Sequence, residues 1–159
     1  MQALVVYDSV YGNTERVAHA IGNILAARNE IRVRRVGDVH STDLANLNLL
    51  IVGSPTQQFR ATPAIKKFIG GIRKGELKNV QVAAFDTRLG MEDMPSRILP
   101  PFVKIFGYAA KPISDSLVNK GGKLVTPPEG FLVKGMEGPL KEGELERAAT
   151  WAEHLLSAA

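Results

Sequence analysis

Short valine- and leucine-rich runs alternate along this chain with segments whose apolar residues recur at helical spacing. That alternation leaves few folds open. Residues 3–8, 31–36, 49–52, 80–85 and 123–125 read as strands, each too short and too apolar for a helix. The second is the most exposed, because Arg32, Arg34 and Arg35 interrupt it. Between these runs, Val17, Ala18, Ile21, Ile24 and Leu25 share one helical face, as do Ile65, Phe68, Ile69 and Ile72. Thr62-Pro63 marks a helix start, a hydroxyl cap followed by the residue that loses least at the first helical position. Another helix passes through Ile113 and Leu117 and ends at Gly121-Gly122. Residues 144–156 close the chain with a stripe through Leu145, Ala148, Ala152 and Leu155. Strands that alternate with helices require right-handed crossovers and a sheet covered on both faces. The expected fold is therefore α/β: a three-layer sandwich around a doubly wound, five-stranded parallel sheet, with about five helices.

At 159 residues the expectation is a single domain over 1–159, large enough for a full core. The absence of cysteine excludes disulfides, thiolate catalysis and cysteine-ligated clusters. No apolar run approaches the roughly 18 residues that span a bilayer, so no stable membrane insertion is expected. Met1 to Val6 reads as strand rather than leader, which favours a cytoplasmic protein. The net charge of +4 is dispersed over several elements without aromatic interleaving, so no nucleic-acid partner is expected. His19, His40 and His154 fit no metal spacing, and Asp115 and Ser116 belong to no triad order. No metal site and no catalytic residue is assigned. Trp151, the single tryptophan, is read as a core residue of the last helix.

Doubly wound sheets bind ligands at the carboxyl ends of their strands. Three connections then matter, at 8–13, 53–61 and 86–108. The first reads Ser9-Val10-Tyr11-Gly12-Asn13-Thr14. A helix start offers unpaired amides and a partial positive charge, hydroxyls add donors, and Gly12 permits a positive φ. Neither the dinucleotide pattern G-x-G-x-x-G nor the triphosphate pattern G-x-x-x-x-G-K-[ST] is present. Without a lysine the loop suits a phosphomonoester, or else it is an ordinary capped turn.

The stretch S-V-Y-G-N-T, directly after the first strand, resembles the phosphate loop of flavodoxins. "LLIVGSPTQQFRATPAIKKFI" is similar to the third strand, flavin-flanking loop and helix of that family, and "VQVAAFDTRLG" to its fourth strand and second flanking loop. "GPLKEGELERAATWAEHL" resembles its closing segment. The resemblance implies the strand order 2-1-3-4-5 and bound flavin mononucleotide (FMN). It implies cofactor contacts from Ser9, Val10, Tyr11, Gly12, Asn13 and Thr14, then Pro55, Thr56, Gln57 and Phe59, then Asp86, Thr87 and Arg88. It also implies an electron carrier between redox partner proteins. The usual aromatic pair that sandwiches the ring is missing, Phe59 being the sole aromatic of the second loop.

Arg60 and Arg88 are either solvated loop charges or guanidinium groups near the ring. A unit charge about 6 Å away at an effective dielectric near 20 would contribute roughly 3 kcal/mol to a reduced, anionic ring. The segment 91–108 is long and apolar, with Met94, Ile98, Leu99, Phe102, Val103 and Phe106, and a short helix is expected from Pro101. It reads as helix packing, as a lid, or as a surface for a quinone-like acceptor or for a homodimer through 94–108. Two alternatives to the carrier follow: an FMN-dependent reductase of a quinone-like molecule, and a flavodoxin-fold module that has lost its flavin.

Overall fold

The computed structural model describes residues 1–93 and 108–158. The expected helix from Pro101 and the apolar surface 94–107 lie outside the described residues. Six strands form the sheet: β1 (Gln2–Tyr7), β2 (Glu30–Arg35), β3 (Leu49–Pro55), β4 (Gln81–Leu89), β5 (Lys123–Leu124) and β6 (Glu129–Val133). Four α-helices accompany them among the described residues: α1 (Asn13–Leu25), α2 (Pro63–Gly71), α3 (Ala110–Asn119) and α4 (Glu144–Ala158). All strand pairs are parallel, in the order β2-β1-β3-β4-β5, with β6 also on β4.

Alternation along each strand divides the core into two layers. Ala3, Val5 and Tyr7 of β1, with Ala83 and Phe85 of β4, face α1 and α4. Leu4, Val6, Val52, Val82 and Ala84 face α2 and α3, where Ile65, Ile69, Ile113 and Leu117 close over them. Trp151 is a core residue, edge-on to Phe85 and Phe131 with ring centroids 6.2 Å apart in each pair.

Three boundaries differ from the sequence reading. The third strand does not stop at Gly53 but runs on to Pro55. Gly53 is there because the Phe85 ring lies over it: a Cβ would meet Cζ at 2.0 Å. The fourth strand continues past Phe85 to Leu89, since Phe85 to Leu89 gain a second partner in Glu129 to Val133. The fifth strand is split. Its first part pairs with Gln81 and Val82, then Pro127 and Pro128 interrupt the ladder because proline has no amide to donate, and β6 resumes it.

Candidate functional site

At the end of β1, Asp8 donates its amide to Gly53 O, and the chain turns through residues 9–12 into α1. Gly12 has φ +88°, a conformation that costs a side-chain-bearing residue roughly 1–2 kcal/mol. Its amide donates to Ser9 Oγ (3.0 Å), which tightens the turn and leaves the Ser9 hydroxyl hydrogen to be donated elsewhere. The first bond within the helix runs from Arg16 N to Gly12 O, so the amides of Asn13, Thr14 and Glu15 have no acceptor inside α1. Thr14 Oγ1 lies 2.8 Å from Thr87 Oγ1, both buried. That bond joins the α1 start to β4. Asp8, the one carboxylate in the turn, accepts the Ser9 amide (2.9 Å) and stands 3.7 Å from the Arg35 guanidinium. The same arginine donates to Ser9 O. Its charge offsets the repulsion that Asp8 would exert on an anion at the turn.

Behind the turn, Tyr7 donates its hydroxyl to Glu15 (2.9 Å). Burial first, and then that carboxylate, push its pKa up to about 12. A hairpin formed by β6 and residues 134–141 closes the other flank. Asn13 Nδ2 donates to Glu137 O (3.1 Å), and Lys141 pairs with Asp93 (2.6 Å) and Glu92 (3.1 Å), just after β4. A Cβ on Gly138 would lie 2.5 Å from the Asn13 amide, so the hairpin touches the α1 start closely only with glycine there.

The ends of β3 and β4 are interlocked. Thr56 donates its amide to Thr87 O (2.9 Å), and its hydroxyl accepts the Ala109 amide (3.1 Å). Asp86 is fully buried and grips Arg88 through two bonds of 2.6 and 2.7 Å. Its carboxylate also accepts the Ala110 amide at the start of α3 (2.8 Å). Burial raises the Asp86 pKa, against the lowering pull of Arg88. The Arg88 guanidinium in turn lies 3.8 Å over the Tyr108 ring. On the neighbouring strand β6, Gly130 stands in register with Asp86 and is as close as a glycine must be: a Cβ there would meet Arg88 at 2.2 Å.

The family model of the flavodoxin domain matches residues 4–134, most of the chain. The chain belongs to the flavodoxin-domain family. Flavodoxin 2 from Bacillus cereus superposes with a TM-score of 0.79 at 20% identity, covering 100% of both chains. A flavodoxin from the domain Archaea gives 0.74 at 22% identity, covering 99% of each. At such identities the likeness is one of fold. An uncharacterized protein of Methanocaldococcus jannaschii, MJ0732, is 32% identical over 73 residues. That match covers 43% of this chain and 19% of the relative, so the chain corresponds to about a fifth of that protein's length.

As a flavodoxin-like flavin protein, the chain can be tested against its expected cofactor by the donors it presents. Ser9, Gly12, Asn13, Thr14 and Thr87 converge on one turn, and free amides plus hydroxyls without an unpaired carboxylate suit a phosphate. Asn13 contributes its backbone there, since its side chain is given to Glu137. Val10 and Tyr11 are more than half exposed. Pro55 ends β3 and Thr56 follows it, both half-buried, and Gln57 is exposed. Asp86, Thr87 and Arg88 belong to β4 rather than to a loop. Asp86 and Arg88 face α3, away from Thr87 and the α1 start, because neighbours on a strand point to opposite sides.

One expectation therefore needs correction. Arg88 is not a solvated loop charge, and its charge is not unscreened either, because the Asp86 carboxylate neutralises it. Phe59, in the loop after β3, lines a cavity between α2 and α3. Sequence reasoning missed the hairpin and Lys141 altogether. The turn pair Gly138-Pro139, with Gly135 and Gly143 around it, was the available signal.

Proposed function

We propose that the chain is a single flavodoxin-like domain over 1–159 that binds FMN non-covalently and carries electrons between redox partners. One observation supports this reading above the rest. Free amides at the start of α1, the Ser9 hydroxyl and the Thr14–Thr87 pair come together without a lysine, a donor set that suits a phosphomonoester. In this reading Ser9, Thr14 and the amides of residues 13–15 hold the phosphate. The ends of β3 and β4, at Pro55, Thr56 and Thr87, form the floor against which the ring lies. Bound FMN supplies the electron chemistry; the chain binds it, orients it and keeps water from one side. The net charge of +4 favours an acidic partner face.

Purification should yield a yellow protein that releases one equivalent of FMN on denaturation. Failure to retain or rebind FMN would overturn the proposal. The purified protein, once reduced, should pass electrons to a redox protein but show no NAD(P)H-driven turnover of quinone by itself. Such turnover would favour the reductase reading instead.

A further inference from the structure

Between α2 and α3, on the side of the sheet remote from α1, lies a cavity of about 580 Å³, a volume usual for small-molecule sites. Its floor is apolar, built from Ile69 and Ile113, and Phe59 lines it as well. Gln58 and Phe59 both have positive φ, 47° and 64°, in a turn closed by Gln57 N to Arg60 O (2.8 Å) and Arg60 N to Gln57 O (2.9 Å). A bulky residue in that conformation is strained, and strain of this kind collects where a loop has a ligand to meet. Around the apolar floor stand three cations, Arg60, Lys66 and Lys120. No carboxylate is among the described residues that line the cavity. The acidic residue of α3, Asp115, is turned to Lys111 at 3.0 Å.

We infer that this cavity is a binding site for a small organic anion with an apolar body, of the class of a medium-chain or aromatic carboxylate. The apolar part lies on Ile69, Ile113 and Phe59, and the carboxylate meets the lysines at the rim. A peptide helix fits less well: α2 has nine residues, about 14 Å, less than the three to four turns of an ordinary docking helix. The cavity opens beside the loop after β3, yet the inference rests on its own lining and not on the flavin.

Decanoate, with decanol as its neutral counterpart, tests it by calorimetric titration of the purified chain. Decanoate should bind with one-to-one stoichiometry, and decanol at least several-fold more weakly. Lys66→Gln and Lys120→Gln should each weaken decanoate binding by about fivefold, and added salt should weaken it further. Lys66 is exposed and Lys120 half-buried, and neither belongs to the flavin turn, so circular dichroism and flavin content should not change. Equal binding of acid and alcohol, no binding of decanoate in the millimolar range, or indifference to both lysine substitutions would overturn it. So would an unchanged decanoate affinity when an acidic partner protein is lost from Lys66→Gln, since the rim would then serve protein docking.

Discussion

Gly12 carries more of the site than any side chain in the turn. Its φ of +88° lets the chain double back so that its own amide reaches Ser9 while the next three point outwards. Gly12→Ala should cost about 1 kcal/mol through the left-handed backbone and lower Tm by about 2–4 °C, with a parallel loss of FMN affinity. Thermal melts with and without added FMN measure both. Thr14→Val should be costlier, about 1–3 kcal/mol, because it strands the buried Thr87 hydroxyl as well as removing a phosphate donor. Tyr7 offers a test by pH. Its folded pKa, about 12, exceeds the ordinary value of 10.0, so its contribution to stability is complete below pH 10. It should be lost as pH rises towards 12. Burial also raises the Tyr108 pKa, so ultraviolet titration of Tyr7→Phe should lose one late tyrosinate step and keep that of Tyr108.

At the scale of elements, β4 and α3 are fastened by the Asp86–Arg88 pair. Arg88→Gln leaves Asp86 buried with no counter-charge, and should cost about 3–5 kcal/mol at neutral pH. The Asp86 pKa, already raised by burial, would then rise further. A carboxyl whose folded pKa is raised favours the fold below that pKa and ceases to as pH climbs through it. The variant should therefore regain stability on acidification, and Asp86→Asn in the same chain should recover part of the loss at neutral pH. Denaturant midpoints at several pH values decide this. If Arg88 were a solvated charge, its replacement would cost almost nothing. Gly53→Ala tests the other layer, where the new methyl would displace the Phe85 ring and destabilise the chain by about 1–3 kcal/mol.

The molecule as a whole carries its positive charge on scattered rims rather than on one tract. Arg34 and Arg35 lie exposed on the edge strand β2, and Lys66 and Lys67 on α2. If acidic proteins are its redox partners, the second-order rate of electron transfer should fall as ionic strength rises. Stopped-flow rates over a salt series check the sign, and a rising rate would instead mark a basic partner. No described helix is long and apolar enough to cross a membrane.

The layered fold was legible in the residues because it depends on short-range pattern. Apolar runs of period two and stripes of period three to four settle which element forms, and their alternation settles the layers. The first turn was legible for the same reason: Ser9, Gly12 and Thr14 are within six residues, so their geometry is local. The remainder depended on partners distant in sequence. Thr87 meets Thr14 across 73 positions, and β4 extends to Leu89 only because β6 lies beside it. Phe59 belongs to a turn whose positive φ values no residue in it advertises. Arg88 looked like a free charge since its counter-ion, two residues away, is buried with it by α3 and Tyr108. Sequence alone settled the layers and the turn at the start of α1. Only the tertiary structure could pair the buried charges, split the fifth strand and turn Phe59 to the α2–α3 cavity, because those outcomes rest on contacts made after the elements pack.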